Sequence, residues 1–124
     1  MLKVGGRQFD ILEFDYSLYK ETDPQGLPSS IIRGGKINIL LESSDSSFFF
    51  EWICNGFEKK DGLVVLVKRD SEATMKAIEF KNAYLVSYNE KFSYSGNEPA
   101  TESITLSAME ISVGNGTLQN EWHS

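Results

Sequence analysis

The side chains that could do chemistry are few. The chain has one histidine, His123, and one cysteine, Cys54. His123 stands next to the end of the sequence, where a general base lacks the fixed surroundings that proton transfer needs. With no other histidine, Ser-His-Asp and Cys-His arrangements fall away. Cys54 has no second cysteine for a disulfide and no Cys or His at metal-ligand spacing. Glu51 with Glu58, Asp61 or Asp70 could form a carboxylate pair, yet 18 acidic residues make some such pair inevitable. The sequence contains no phosphate loop, GxGxxG or HExxH pattern. We therefore expect no enzyme, no cofactor and no metal.

The totals point the same way. At 124 residues, 40% hydrophobic and 12% aromatic, the chain reads as one folded domain, residues 1–124, with a core of its own. A net charge of −6 argues against nucleic acid as partner. No stretch approaches the roughly 18 apolar residues of a membrane span, and the amino terminus lacks the apolar run of a signal peptide. The expectation is a cytoplasmic protein that does not insert in membranes.

One stretch reads as a helix. Phe48 and Trp52, and Phe49 and Ile53, fall at i, i+4 spacing. Ser and Asp residues precede them and Asn55-Gly56 follows as a left-handed stop, which predicts a helix over about 45–57. Its apolar arc sweeps roughly 200°, wider than the about 100° of a helix packed on one side. Phe50 is the excess, and a candidate for contact with another chain.

The rest reads as strand and turn. Gly5-Gly6 is a hairpin dipeptide. Phe9 and Ile11 share one parity and Leu12, Phe14, Tyr16 and Leu18 the other, so a bulge or bend lies between them. Lys20–Ser30 holds two prolines and a glycine and reads as a long loop, with Leu27 an apolar residue lacking an obvious core. Ile31–Glu42 is a long strand interrupted at Gly34-Gly35, a bend or a close backbone approach. Lys59–Gly62 reads as a turn, and Leu63–Val67 as a strand buried on both faces. Phe80, Tyr84, Val86, Tyr88, Phe92 and Tyr94 alternate with Lys81, Ser87, Asn89 and Lys91, the pattern of a half-exposed strand. The last strand changes parity near Ala108, and Gly114-Asn115-Gly116 leaves Thr117–Ser124 as a tail carrying Trp122. These elements predict a mainly β fold, a two-sheet antiparallel β-barrel with one flanking α-helix. One short helix cannot cover every doubly apolar segment, which points to self-association.

Four segments together resemble the tube protein of type VI secretion systems, in the TssD (Hcp-like) branch of Bacteroidota. They are GLPSSIIRGGKINILLES (26–43), FFEWICNGFEKKDGLVVLVKRD (49–70), MKAIEFKNAYLVSYNEKF (75–92) and ISVGNGTLQNEW (111–122). The resemblance implies a homohexameric ring, stacked into the inner tube of a contractile injector. Its implied partners are sheath, spike and baseplate proteins, with effector proteins as cargo. It also implies secretion without a signal peptide. Carried onto this chain, the inter-subunit loop spans about 21–35, with Leu27, Pro28, Ser29, Ser30, Arg33, Gly34 and Gly35 at the subunit or ring interface, joined by Phe50 and Trp122. Arg33 would either fork onto a carboxylate of the next subunit or form a surface ion pair within its own chain. Lys81, Ser87, Asn89 and Lys91 form a candidate lumen wall, or else the face that meets the sheath. The alternatives are a tail-tube protein of a phage or another contractile injector, and a monomeric ligand-binding β-barrel.

Overall fold

A computed structural model describes residues 1–71, 73–96 and 99–120. Eight strands and one helix follow in the order β1 (Leu2–Val4), β2 (Arg7–Phe9), β3 (Ile11–Thr22), β4 (Pro28–Glu42), α1 (Phe48–Cys54), β5 (Lys60–Val67), β6 (Thr74–Lys91), β7 (Thr101–Val113) and β8 (Gly116–Gln119). Hydrogen bonds link them into one sheet in the order β2-β1-β5-β6-β7-β4-β3, with β8 added to β7. All pairings are antiparallel. The ends of this path, β2 and β3, are separated in the chain by Asp10 alone. The backbone itself thus brings the sheet round on itself. The mainly β class with one helix holds, built as one continuous sheet.

Local chemistry explains the bends. Gly5 and Gly6 both take positive φ, which gives the two-residue turn between β1 and β2 its hairpin twist. The expected parity change in β3 is a register shift between Ile11 and Glu13. β6 and β7 change their inward parity together. Ile78 and Phe80 are buried before Asn82, and Ala83 and Leu85 after it; Ala108 and Ile111 flank Met109 in the same way. Asn82 itself has φ 52°, and its N–H donates to Asp61 Oδ1 at 2.8 Å, so the corner is capped. A second shift between Leu85 and Ser87 turns Tyr88 toward the core side. The simple alternation expected from Phe80 to Tyr94 is therefore broken twice, and Val86, Phe92 and Tyr94 are exposed.

The interior is one apolar cluster. Leu2, Val4, Ile37, Leu41, Val64, Phe80 and Leu106 share this core with Phe49 and Trp52 of α1. Each such side chain, fully buried, contributes about 1.5–3 kcal/mol. α1 is shorter than the predicted 45–57, covering Phe48–Cys54. The Ser47 side chain makes no capping bond, since its Oγ donates to Glu51 Oε2 at 2.8 Å, and Ser46 Oγ instead accepts from the Phe48 N–H at 3.2 Å. A helix this short has no stability alone, so the burial of Phe49 and Trp52 holds it.

Three expectations need correction. Lys60–Gly62 is already part of β5 rather than a turn. In that strand only Val64 is fully buried, while Val67 is exposed, because β5 has the core on one side only. Thr117–Gln119 is not a tail: after the Gly114-Asn115 turn it pairs back on β7 as β8.

Candidate assembly surfaces

The predicted loop over 21–35 is for the most part not a loop. β3 and β4 continue past the barrel as a paired arm, with Leu18 opposite Gly34, Tyr19 opposite Arg33, Lys20 opposite Ile32 and Thr22 opposite Pro28. Only Asp23–Leu27 forms the tip. There the Asp23 carboxylate accepts from the N–H groups of Gln25 and Leu27 at 2.9 and 3.0 Å, an Asx-type closure. These bonds close the tip, which holds Pro24, while Pro28 already opens β4. Pro28, Ser30, Arg33 and Gly34 are exposed and Ser29 is half-buried.

The arm is apolar for a surface element. Leu18, Tyr19, Leu27, Ile31 and Ile32 are exposed, Leu27 to 62%. Glu21 Oε1 lies 3.5 Å from Arg33 Nε, so the Arg33 side chain pairs within its own chain. Both partners are about half exposed or more, and such a pair is worth about 0–1 kcal/mol.

At the base of the arm Gly34 and Gly35 do what the sequence suggested, and both have positive φ. A Cβ on Gly34 would lie 2.6 Å from Ser17 O, and one on Gly35 would collide with Asn120 Nδ2. Asn120 occupies that space with purpose. Its Nδ2 donates to Gly34 O and Ala108 O, both at 3.1 Å, and its backbone N–H donates to Met109 O at 2.7 Å. The amide side chain extends the β7–β8 ladder by one step where β4 takes over the edge of β7.

A second surface surrounds α1. Phe50 is 57% exposed, and its ring meets Tyr88 edge-on at 6.2 Å. Phe57 is nearly fully exposed and lies against Tyr84 in the same manner. Cys54 is exposed on the same short helix. Below Phe50, Tyr88 OH donates to Glu102 Oε2 at 2.9 Å. Glu102 is 2% exposed. Burial, and then the hydrogen bond to Glu102, push the Tyr88 phenol well above the usual phenolic range. The sequence held a signal for Glu102, since it shares the parity of Ile104, Leu106 and Ala108. Asn120 carried no such signal.

A third surface is the outer face of β6, β7, β4 and β3. Its side chains lie in rows: Asp15, Asn38, Thr105 and Ser87; then Glu13, Leu40, Ser103 and Asn89; then Glu42, Thr101 and Lys91. Asn38 Nδ2 donates to Asp15 Oδ1 at 3.0 Å, and Thr105 Oγ1 donates to Asn38 Oδ1 at 2.9 Å. The structure thus gathers Ser87, Asn89 and Lys91 on one polar wall. Lys81 is separated from them by the Asn82–Met109 corner, where it sits 3.6 Å from both Glu79 and Glu110. Trp122 lies outside the described residues.

The family model of the hemolysin coregulated protein Hcp (TssD) matches residues 1–123. The chain belongs to the Hcp (TssD) family. Among solved structures it is similar to Hcp1 from Flavobacterium johnsoniae, with 45% identity over 96% of this chain and 97% of that one, at a TM-score of 0.89. Hcp1 from Salmonella typhimurium shares the fold at 13% identity, TM-score 0.74, covering 94% and 88% of the two chains. A chain of the PVC sheath-tube complex, from an extracellular contractile injection system, shares it at 23% identity and TM-score 0.54, over 91% and 86%. No curated protein sequence matches the chain. Among the described residues no group of His, Cys, Asp or Glu is placed to hold a metal, and no helix is long and apolar enough to cross a membrane.

Proposed function

We propose that this chain forms hexameric rings that stack into the inner tube of a type VI secretion system. A tube-subunit role is what membership of the Hcp family carries. The observation that supports the ring is the β3–β4 arm, with Leu18, Tyr19, Leu27, Ile31 and Ile32 exposed beyond the barrel. A projection of this kind engages a different surface on the next copy, and a heterologous contact that repeats closes into a ring or runs on as a stack. On this reading Leu27, Pro28, Ser29, Ser30, Arg33 and Gly34 belong to the contact and Phe50 on the α1 shoulder joins it, whereas Gly35, expected there from the sequence, is buried under Asn120 and shapes the base of the arm from within.

The polar wall of Ser87, Asn89 and Lys91, with the hydroxyls of Thr101, Ser103 and Thr105, is the face turned to the lumen. Small hydroxyl and amide side chains form a surface that stays wetted and does not hold an apolar protein, which suits a conduit for folded effector cargo. The outward partners are then sheath, spike and baseplate. Subunits assemble in the cytoplasm and leave the cell with the tube, without a signal peptide, and the role is structural rather than catalytic. Fold likeness to the PVC component supports a second reading, a tube subunit of another contractile injector. The interior argues against a ligand-binding barrel, because Phe49, Trp52 and Phe80 fill it.

Light scattering behind a sizing column tests the ring. The mass expected is about six times 13.9 kDa. A monomer that persists at high concentration overturns it.

A further inference from the structure

Asparagine followed by glycine is the sequence at which a side-chain amide is lost without an enzyme. The glycine nitrogen, unshielded by a Cβ, attacks the asparagine Cγ. A new carbon–nitrogen bond forms, the bond from Cγ to Nδ2 breaks, and Nδ2 leaves with the glycine's proton as ammonia. Water then opens the cyclic imide at either carbonyl, giving aspartate or isoaspartate. The chain holds this pair twice, at Asn55-Gly56 and at Asn115-Gly116. All four residues are exposed.

The backbone treats the two pairs differently. Asn55 stands one residue beyond α1, and among the described residues nothing accepts from the Gly56 N–H. Gly56 has φ 60°, and no atom lies within 4 Å of where its Cβ would stand. The rotation of Asn55 that ring closure requires breaks two of the described hydrogen bonds. One is the long bond from the Glu58 N–H to Asn55 O at 3.3 Å, and the other is the donation from Asn55 Nδ2 to Glu58 Oε2. The Asn55 N–H keeps its bond to Trp52 O at 3.1 Å, which lies before the rotating bond. Asn115, by contrast, sits inside the turn that joins β7 to β8, and Val113 pairs with Gly116 across it. That register sets the Gly116 N–H in the ladder, so attack at Asn115 must first unpair the end of β8.

We propose that Asn55 is a spontaneous deamidation site of this chain and that Asn115 is protected by its turn. The consequence falls on Glu58. Its carboxylate accepts from Lys60 Nζ at 2.6 Å and from Asn55, and these two, Lys60 first, hold it below the usual carboxylate range. Its carbonyl accepts from Trp52 Nε1 at 3.0 Å, which ties α1 to the start of β5. A carboxylate at position 55 turns a donor into an acceptor and sets two negative charges against each other. The tie between α1 and β5 is weakened as a result, next to the exposed Phe57. The inference rests on the single subunit and not on ring formation.

Peptide mapping by mass spectrometry tests it, on the folded full chain incubated at mildly alkaline pH. The expected result is progressive loss of the amide at 55, as aspartate and isoaspartate, with the amide at 115 retained. In urea both glycine N–H groups are free, so both amides are expected to be lost at similar rates. Loss at 115 first or equally in the folded chain, retention of both amides there, or a preference for 55 that survives in urea overturns the proposal. The product can also be made outright. Asn55→Asp is expected to lower Tm and to speed hydrogen exchange across residues 52–58. An unchanged Tm and exchange pattern overturns the role given to the Glu58 contact.

Discussion

Replacing Tyr88 by Phe removes one oxygen atom, and that oxygen is the donor to Glu102 Oε2 at 2.9 Å. The ring stays, and with it the edge contact to Phe50. What changes is Glu102, a carboxyl group 2% exposed that loses its tyrosine donor. Leaving a buried acceptor short of its partner costs about 1–3 kcal/mol, toward the upper end when the group is charged. For a domain of this size that lowers Tm by roughly 3–10 °C. Thermal unfolding followed by circular dichroism reads the effect, and a urea series should show the midpoint falling with an unchanged slope. Glu102→Gln keeps an acceptor oxygen for Tyr88, so the double variant should cost less than the sum of the singles. A Tm change under 1 °C in Tyr88→Phe would show that the buried carboxyl does not depend on this hydroxyl.

The same pair makes an alkaline prediction. Burial and the bond to Glu102 raise the Tyr88 pKa in the folded state, against about 10 in the unfolded chain. Its contribution is then complete below about pH 10 and is lost as pH rises further, so Tm should fall more steeply there in the wild type than in Tyr88→Phe. Asn120→Ala removes the donor to Gly34 O and Ala108 O, and should cost about 1–2 kcal/mol, with faster hydrogen exchange at the base of the arm. Gly35→Ala meets positive φ and the Asn120 side chain together, so a loss of about 1–3 kcal/mol in urea unfolding is expected. Arg33→Glu breaks only an exposed ion pair, so Tm should shift by no more than about 1 kcal/mol equivalent, while sizing shows weaker ring assembly. Intact assembly with lowered stability would place Arg33 outside the interface.

Features governed by neighbours in sequence were legible. Gly5-Gly6, the bulge after Ile11 and the close approach at Gly34-Gly35 each follow from a backbone or parity rule acting over a few residues. The helix was visible from the i, i+4 spacing of Phe48 with Trp52 and of Phe49 with Ile53, though its ends were overdrawn, because the serines before it bond to one another, to the Phe48 N–H and to Glu51 rather than extend the first turn. The arm was misjudged as a loop for a physical reason. Pro24, Gly26 and Pro28 signal irregularity, yet Pro24 and Gly26 sit in the five-residue tip and Pro28 opens β4, where β3 pairs with it. The β6 alternation failed because Asn82, in a left-handed conformation, and the shift before Ser87 reset the parity twice. Single residues that break a period are invisible to the period. Glu102 was readable as a charge on an apolar parity, whereas nothing local marks Asn120, whose partners Ala108 and Gly34 come from distant strands.

The central claim is that the arm joins neighbouring copies and the hydroxyl-rich wall faces inward. A cryo-electron-microscopy map of the assembled protein tests it most directly. The account predicts annuli in which each Leu18–Ile32 arm lies against the adjoining subunit or ring and Ser87, Asn89 and Thr105 line the central opening. Rings whose arms project free into solvent, or whose hydroxyl wall lies on the outer circumference, would contradict it.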